Sequence, residues 1–240
     1  MPQTALPYET VGELLEQLGR IDPRRVRLSP PPGRATEKDV LALLDHENRL
    51  YELVDGVLVE KIMGLKESAL AMLLGRRMGN FVEEYDLGIV AGADGTLRLM
   101  PRLVRIPDVS FISWSQLPSR EYPAKPIPDL YPDLAVEVLS AGNTVQEIER
   151  KLKEYFLAGT RLVWIIDPDA RIVHVYTSPD DWTILEETDT LTGGEILPGF
   201  KLPLRQLFAR LPRAASGRKT ANEKQPAKRG GRGNGKRKRR

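Results

Sequence analysis

RIPDVSFIS (residues 105–113), PDLAVEVLS (132–140), NTVQEIERKLKEYFLAG (143–159) and RLVWIIDP (161–168) follow one another in the middle of the chain. The first two are short apolar runs, each with one acid: Asp108 at the head of the first, Glu137 inside the second. Thr144, with Glu147 three residues on, opens a helix, and Gly159 stops it. The run at 161–168 is almost wholly apolar, the pattern of a strand covered on both faces. Strand, strand, helix, strand, with two carboxylates and several lysines between them, are the parts needed to hold a divalent cation and activate a water.

The surrounding chain fits a mixed α/β domain. A helix is expected at ETVGELLEQLG (9–19), with Thr10 as its cap and Glu13 in the box position, and another from Thr36 with Asp39 in the same role. Between them RIDPRRVRLSPPPGRAT (20–36) reads as an extended connector. Asp55-Gly56, between two apolar runs, marks a tight hairpin. Leu70, Leu73, Leu74, Met78 and Phe81 recur at helical spacing from Lys66 to Tyr85. The stretch 88–113 divides into three short strands, and the four prolines between Trp114 and Tyr131 give a long loop. After 168 come further strands with turns at Gly193-Gly194 and Pro198-Gly199, and a short closing element. The expected organisation is an N-terminal helix with a Pro/Arg-rich connector (1–35), a domain over 36–211 with a central mixed β-sheet flanked by helices, and a disordered basic tail (212–240).

Composition narrows the function. Among 240 residues there is no cysteine, which excludes disulfides, thiolate metal sites and cysteine nucleophiles. No apolar run is long enough to span a bilayer and no signal peptide is evident, so a cytoplasmic protein with no membrane partner is expected. Charge is divided unevenly. Residues 213–240 hold 12 Lys and Arg and one acid, Glu223; of 36 basic and 33 acidic residues in all, 24 and 32 remain before them, so the body carries −8 and the tail +11. Such a tail could neutralise several phosphates, weakly and with strong salt dependence, or serve only as a solubilising extension.

Four side chains carry the chemistry. Asp108, after a proline at a strand entrance, reads equally as a turn residue or a ligand. Glu137 lies within Leu134–Leu139, where an unpaired carboxylate would cost several kcal/mol, so it must be ion-paired, bind a cation or sit at an open sheet end. On the helix, at 100° per residue, Val145, Ile148, Leu152, Tyr155 and Phe156 form one apolar face. Lys151 lies about 40° from Tyr155 at the edge of that face, Lys153 well away from it and Arg150 nearly opposite. Lys151 can therefore lay its stem along the sheet and bring its ammonium inward, either as a snorkelling edge residue or as a functional one. Glu52 alternates with Tyr51 and Leu53 and is either a third acid of the site or a surface residue. The two histidines, His46 and His174, lack metal-ligand spacing, and no glycine-rich loop is placed to cradle phosphate.

Taken together, YELVDGVLVE (51–60), RIPDVSFIS, PDLAVEVLS, KLKEYFLAG-x4-WIIDP (151–168) and LPGFKLPLRQLF (197–208) resemble the Uma-two family of bacterial endonucleases, within the restriction-endonuclease-like PD-(D/E)XK superfamily. The resemblance covers roughly residues 36–208. It implies a restriction-endonuclease-like α/β core, Mg2+ or Mn2+ as cofactor, and phosphodiester hydrolysis of nucleic acid, DNA before RNA. The family's acidic pair falls on Asp108 and Glu137, its lysine on Lys151, and its hairpin glutamate on Glu52. The metal would be held by Asp108 and Glu137, with the carbonyl of Val138 as a further ligand. By analogy with nucleases of this fold that pair two sites to cut two strands, a homodimer is expected. In one respect the chain departs from the superfamily pattern: two residues after Glu137 stands Leu139, not lysine. That departure keeps open a second reading, a nucleic-acid-binding or partner-binding protein on the same fold with a weak or lost site.

Overall fold

The computed structural model describes residues 8–211; the seven residues before them and the basic tail lie outside the described part. The elements run α1 (Val11–Gln17), a 3-10 turn (Pro23–Arg25), β1 (Val26–Arg27), α2 (Glu37–Glu47), β2 (Tyr51–Val54), β3 (Val57–Glu60), α3 (Leu65–Glu84), β4 (Gly88–Ala91), β5 (Leu97–Met100), β6 (Leu103–Arg105), β7 (Val109–Ser113), β8 (Leu134–Val138), α4 (Val145–Ala158), β9 (Leu162–Asp167), β10 (Ile172–Ser178), β11 (Asp181–Glu186), β12 (Thr190–Gly193), β13 (Leu197–Pro203) and α5 (Leu204–Phe208). No helix among the described residues is long and apolar enough to cross a membrane.

The central sheet has six strands in the order β11-β10-β9-β8-β7-β4. It is mixed: β8 and β9 run parallel, joined over one face by α4, and the other neighbours are antiparallel. That single parallel pair explains the apolar run at 162–166, since a parallel pair needs a helical crossover that covers its strands. Side-chain alternation then divides the core. Val109, Phe111, Leu134, Val136, Trp164 and Ile166 face one way, onto Leu70, Leu74 and Met78 of α3 and the β12–β13–α5 unit. Ile112, Ala135, Val163 and Ile165 face the other way, onto Leu152 and Tyr155 of α4, Leu14 and Leu18 of α1, and the inner face of a second sheet.

The second sheet has five strands, β1-β3-β2-β6-β5. Its outer face packs Tyr51, Leu53, Leu58 and Val104 against Val40 and Leu43 of α2. Asp55 and Gly56 both take positive φ (52° and 81°) in the β2–β3 hairpin, as a two-residue primed turn requires.

Three expectations change, the first being that Pro198-Gly199 lies within β13 and the turn falls at residues 194–196 instead. The stretch 88–113 holds four strands, not three. After β6 the chain leaves the five-stranded sheet through Ile106-Pro107 and enters the six-stranded one as β7; proline, with no N–H to give a ladder, marks the changeover. The Pro/Arg segment is also not a free connector. Leu18 and Ile21 are buried, β1 pairs with β3, and the Arg25 guanidinium grips both oxygens of Glu147 at 3.0 and 2.8 Å. Thr144 still caps α4, accepting from the Glu147 N–H at 3.0 Å. The Glu147 carboxylate is drawn to Arg25 because a bidentate charged pair outweighs a single cap bond.

Candidate active site

The site lies where β7 begins and β8 ends. These antiparallel neighbours put Asp108 and Glu137 at the same end of the six-stranded sheet. The Asp108 N–H donates to the Val136 carbonyl at 2.9 Å, and its Oδ2 accepts from the Val138 N–H at 2.6 Å. Its carboxylate thus continues the ladder past the strand end and is fixed by it. Glu137 projects from the opposite face to Val136 and Val138, toward α4.

From α4, Lys151 and Tyr155 stand one turn apart and both reach Glu137. Lys151 Nζ lies 3.0 Å from each Glu137 oxygen, and the Tyr155 hydroxyl donates to Oε1 at 2.6 Å. The same ammonium is 3.3 Å from Glu52 Oε1. Glu52 comes from β2, on the inner face of the five-stranded sheet, and is only 1% exposed. It is held by the Arg105 guanidinium at 2.6 Å and the Ile106 N–H at 3.2 Å; Arg105 also reaches Glu154 at 2.7 Å. The structure therefore brings Asp108, Glu137, Lys151 and Glu52 into one cluster, with Val138 beside Asp108. Lys151 is not an edge residue but buried, and Glu52 is not on the surface.

Three further residues escape a motif-led reading. Lys61, just past β3, places Nζ 2.7 Å from Asp108 Oδ1 and also donates to the Ile106 carbonyl. Its signal was the period of two: Val57 and Val59 face the interior, so Lys61 continues the same face. Glu67 is buried in the first turn of α3; at 100° per residue it lies in line with Leu74, an acid on an apolar stripe. Arg105 ends β6, and its burial required knowing that the two sheets face each other.

Burial and charge set the protonation states. For Glu137, burial raises the carboxyl pKa, as do the Asp108 and Glu52 charges, against the opposing pull of Lys151 and Lys61. For Glu52 burial acts upward too, but Lys151, Arg105 and Lys61 outweigh it and hold the carboxyl well below the ordinary range. Burial would lower Lys151, yet Glu137 and Glu52 raise it above a usual lysine. Tyr155 is driven up by burial and by the same two acids, so its hydroxyl stays a donor.

A cavity of about 20 Å3, room for one water, is lined by Lys61, Glu67, Asp108, Glu137, Val138 and Lys151 among others. Asp108 also lines a groove of about 750 Å3 between the small-residue face of α3 (Ala71, Gly75, Gly79) and edge strand β4. Among the described residues no group of three or more His, Asp or Glu side chains is gathered closely enough to hold a metal ion.

A search of solved structures finds the same architecture in a crystal structure described as "a putative nuclease belonging to DUF820", from Anabaena variabilis ATCC 29413. The TM-score is 0.59 at 20% identity, covering 67% of this chain and 90% of that one. No curated protein matches. The model of the Uma2 family, described as "Putative restriction endonuclease", matches residues 37–205, from the start of α2 to α5 and across every residue of the cluster from Glu52 to Tyr155. The chain is a member of the Uma2 family.

Proposed function

We propose that this protein is a metal-dependent endonuclease that hydrolyses phosphodiester bonds of nucleic acid, DNA in the first instance. The observation that carries the reading is the buried Glu137 carboxylate. It is held by Lys151 and Tyr155 and shares with Asp108 a cavity at the end of two adjacent strands. A buried acid tied to a helix-borne lysine is an expensive arrangement for stability alone, because apolar residues of the same volume would serve at least as well. Asp108 additionally opens onto the groove along α3, which gives a polymer a path to it.

The donor set suits a hard divalent cation: Asp108, Glu137 and the Val138 carbonyl offer only oxygen, as Mg2+ or Mn2+ requires. Bound there, the cation would polarise the phosphate and lower the pKa of a water. The chain's own groups supply the rest. Lys151, kept charged by Glu137 and Glu52, acts as a donor and a fixed positive charge, not as a base. It orients the attacking water and offsets charge developing on the phosphate. Tyr155 and Lys61 hold Glu137 and Asp108 in place.

A second reading rests on one observation. Lys61 sits on Asp108 Oδ1, and among the described residues no three acids come close enough together to hold a metal ion, which is also what a lost site would look like. A binding protein on this fold would then engage nucleic acid or a partner without cutting.

The deciding experiment incubates the full chain with single-stranded DNA, duplex DNA and RNA, with Mg2+, with Mn2+ and with chelator. Cutting that needs the metal and is abolished in Asp108→Ala and Glu137→Ala, both folded by circular dichroism, is the expected result. Equal background from wild type and variants refutes the nuclease reading. Calorimetry that also finds no Mg2+ binding would leave the binding-protein reading in its place.

A further inference from the structure

From Ile172 to Phe200 the sequence holds six acids and not one Lys or Arg. The structure gathers four of them on and beside β11: Asp180 and Asp181 at its start, Glu186 at its end, and Asp189 folded back so that its Oδ2 accepts from the Glu186 N–H at 2.7 Å. None of these four makes an ion pair among the described residues. β11 is an edge strand of the six-stranded sheet, exposed along almost its whole length. On one face Trp182 and Ile184 stand opposite Tyr176 and His174 of β10. The Trp182 ring centroid is 5.4 Å from His174 and 5.9 Å from Tyr176, and Trp182 and Ile184 remain 44% and 46% exposed. Cation–π contacts among the described residues fall on Tyr51, Trp114 and Phe208, not on this group. An acidic ridge beside an open aromatic cluster is a surface that fits a flexible chain rich in arginine and lysine.

The sequence beyond Leu211 is rich in arginine and lysine, and it departs from the right place. Arg171, at the turn into β10, grips Glu187 with two bonds at 2.8 and 2.9 Å. The same guanidinium donates to the Phe208 and Leu211 carbonyls at 2.8 and 3.4 Å. Leu211 is thus tied to the residue that follows Glu186, at one end of β11. Beyond it run 29 residues, 212–240, bearing 12 of the chain's 36 basic residues and one acid. Twenty-nine residues span at most about 100 Å when fully extended, against about 17 Å for a six-residue strand.

We infer that the basic segment 213–240 docks on the β11 ridge of its own chain, its charges on Asp180, Asp181, Glu186 and Asp189 and an arginine over the Trp182–Tyr176 rings. The contact is electrostatic and reversible. It hides an acidic patch and occupies basic residues that would otherwise bind any polyanion. The inference does not depend on the nuclease reading. A second copy's tail, or a second copy's β11 edge, would be rival occupants.

The test uses the full chain, which has no cysteine and three tryptophans. Asn234→Cys carries a nitroxide, and the three indole N–H resonances are compared before and after its reduction; Trp182→Phe assigns the resonance of interest. A tether puts the tail at millimolar effective concentration, so a contact with a millimolar dissociation constant is about half formed. At about 0.01 M salt, where screening reaches about 30 Å, the Trp182 signal should fall by about half or more. The Trp164 and Trp114 signals should not. The loss should vanish at roughly 1 M salt, where screening acts within about 3 Å. It should also vanish in Asp180→Lys/Asp181→Lys/Glu186→Lys, and in a full chain with Lys236 to Arg240 all changed to Gln. An unbroadened Trp182 at low salt overturns the inference, as does broadening of Trp114 instead or a loss that survives both charge variants. Broadening that appears only when labelled and isotope-enriched molecules are mixed assigns the tail to another copy and overturns it too.

Discussion

Replacing Lys151 by methionine removes the one cation that both Glu137 oxygens share and leaves the hydrocarbon volume in place. The ammonium lies 3.0 Å from each Glu137 oxygen and 3.3 Å from Glu52 Oε1, with all three side chains buried. Removing one partner of a buried pair costs about 3–5 kcal/mol. Here the lower end applies, because Glu137 keeps the Tyr155 hydroxyl and Glu52 keeps Arg105, each at 2.6 Å. For a domain of this size about 3 kcal/mol lowers the melting temperature by roughly 10 °C.

The loss also has a predictable pH dependence. Glu137 already titrates above the ordinary 4.5 because of burial and neighbouring acids, and without Lys151 it rises further. A carboxyl raised in the folded state makes that state bind more protons. The Glu137 contribution in the variant is therefore most favourable below the unfolded value near 4.5, and it is lost as the pH climbs through the window up to the folded value. In the wild type Lys151 is raised, so its own contribution is complete below its unfolded pKa and constant across pH 5 to 8. Urea unfolding followed by circular dichroism at pH 5 and pH 8 should show a larger deficit at pH 8, and adding Glu137→Gln should restore at least about 1 kcal/mol there. A deficit below about 1 kcal/mol, or one equal at both pH values, would refute the buried-pair reasoning.

Glu52→Gln should cost about 1.5–3 kcal/mol at neutral pH by removing a charged acceptor. Because the Glu52 carboxyl is depressed, its contribution is present above about 4.5 and lost as the pH falls, so the variant should unfold less steeply with acid than the wild type; parallel acid titrations would contradict this. Tyr155→Phe leaves Glu137 one donor short and should also cost about 1.5–3 kcal/mol in urea unfolding, whereas no change would mean the 2.6 Å bond contributes nothing. Gly159→Ala places a Cβ 2.8 Å from the Tyr131 ring at a φ of 114°, so it should lower stability by about 2 kcal/mol or more in a thermal melt; an unchanged melt would show that the ring yields freely.

Local chemistry made much of the fold legible. Thr10, Thr36 and Thr144 mark helix starts, Asp55-Gly56 turns the hairpin, and the 3.6 period at Leu70, Leu74 and Met78 gives the buried face of α3. Each is a relation between residues a few positions apart, where the chain itself sets the geometry. What the sequence hid was the facing of two sheets. Val145, at the start of the predicted apolar face of α4, is 68% exposed because that face packs through Leu152 and Tyr155 instead. Glu52 and Arg105 look like surface residues on short strands until the five-stranded sheet is laid over α4. Arg25 looks like part of a solvated linker until Glu147 meets it 122 positions later. The absent strand lysine shows why the clustering of Lys151 with Glu137 was legible even so. Leu139 follows the strand acid where the superfamily places lysine, and its N–H continues the ladder to Ile166. The cation comes from α4, whose phase fixes Lys151 one turn before Tyr155. Two residues on one helix turn, both bound to Glu137, need no long-range information beyond the crossover that a parallel β8–β9 pair already imposes.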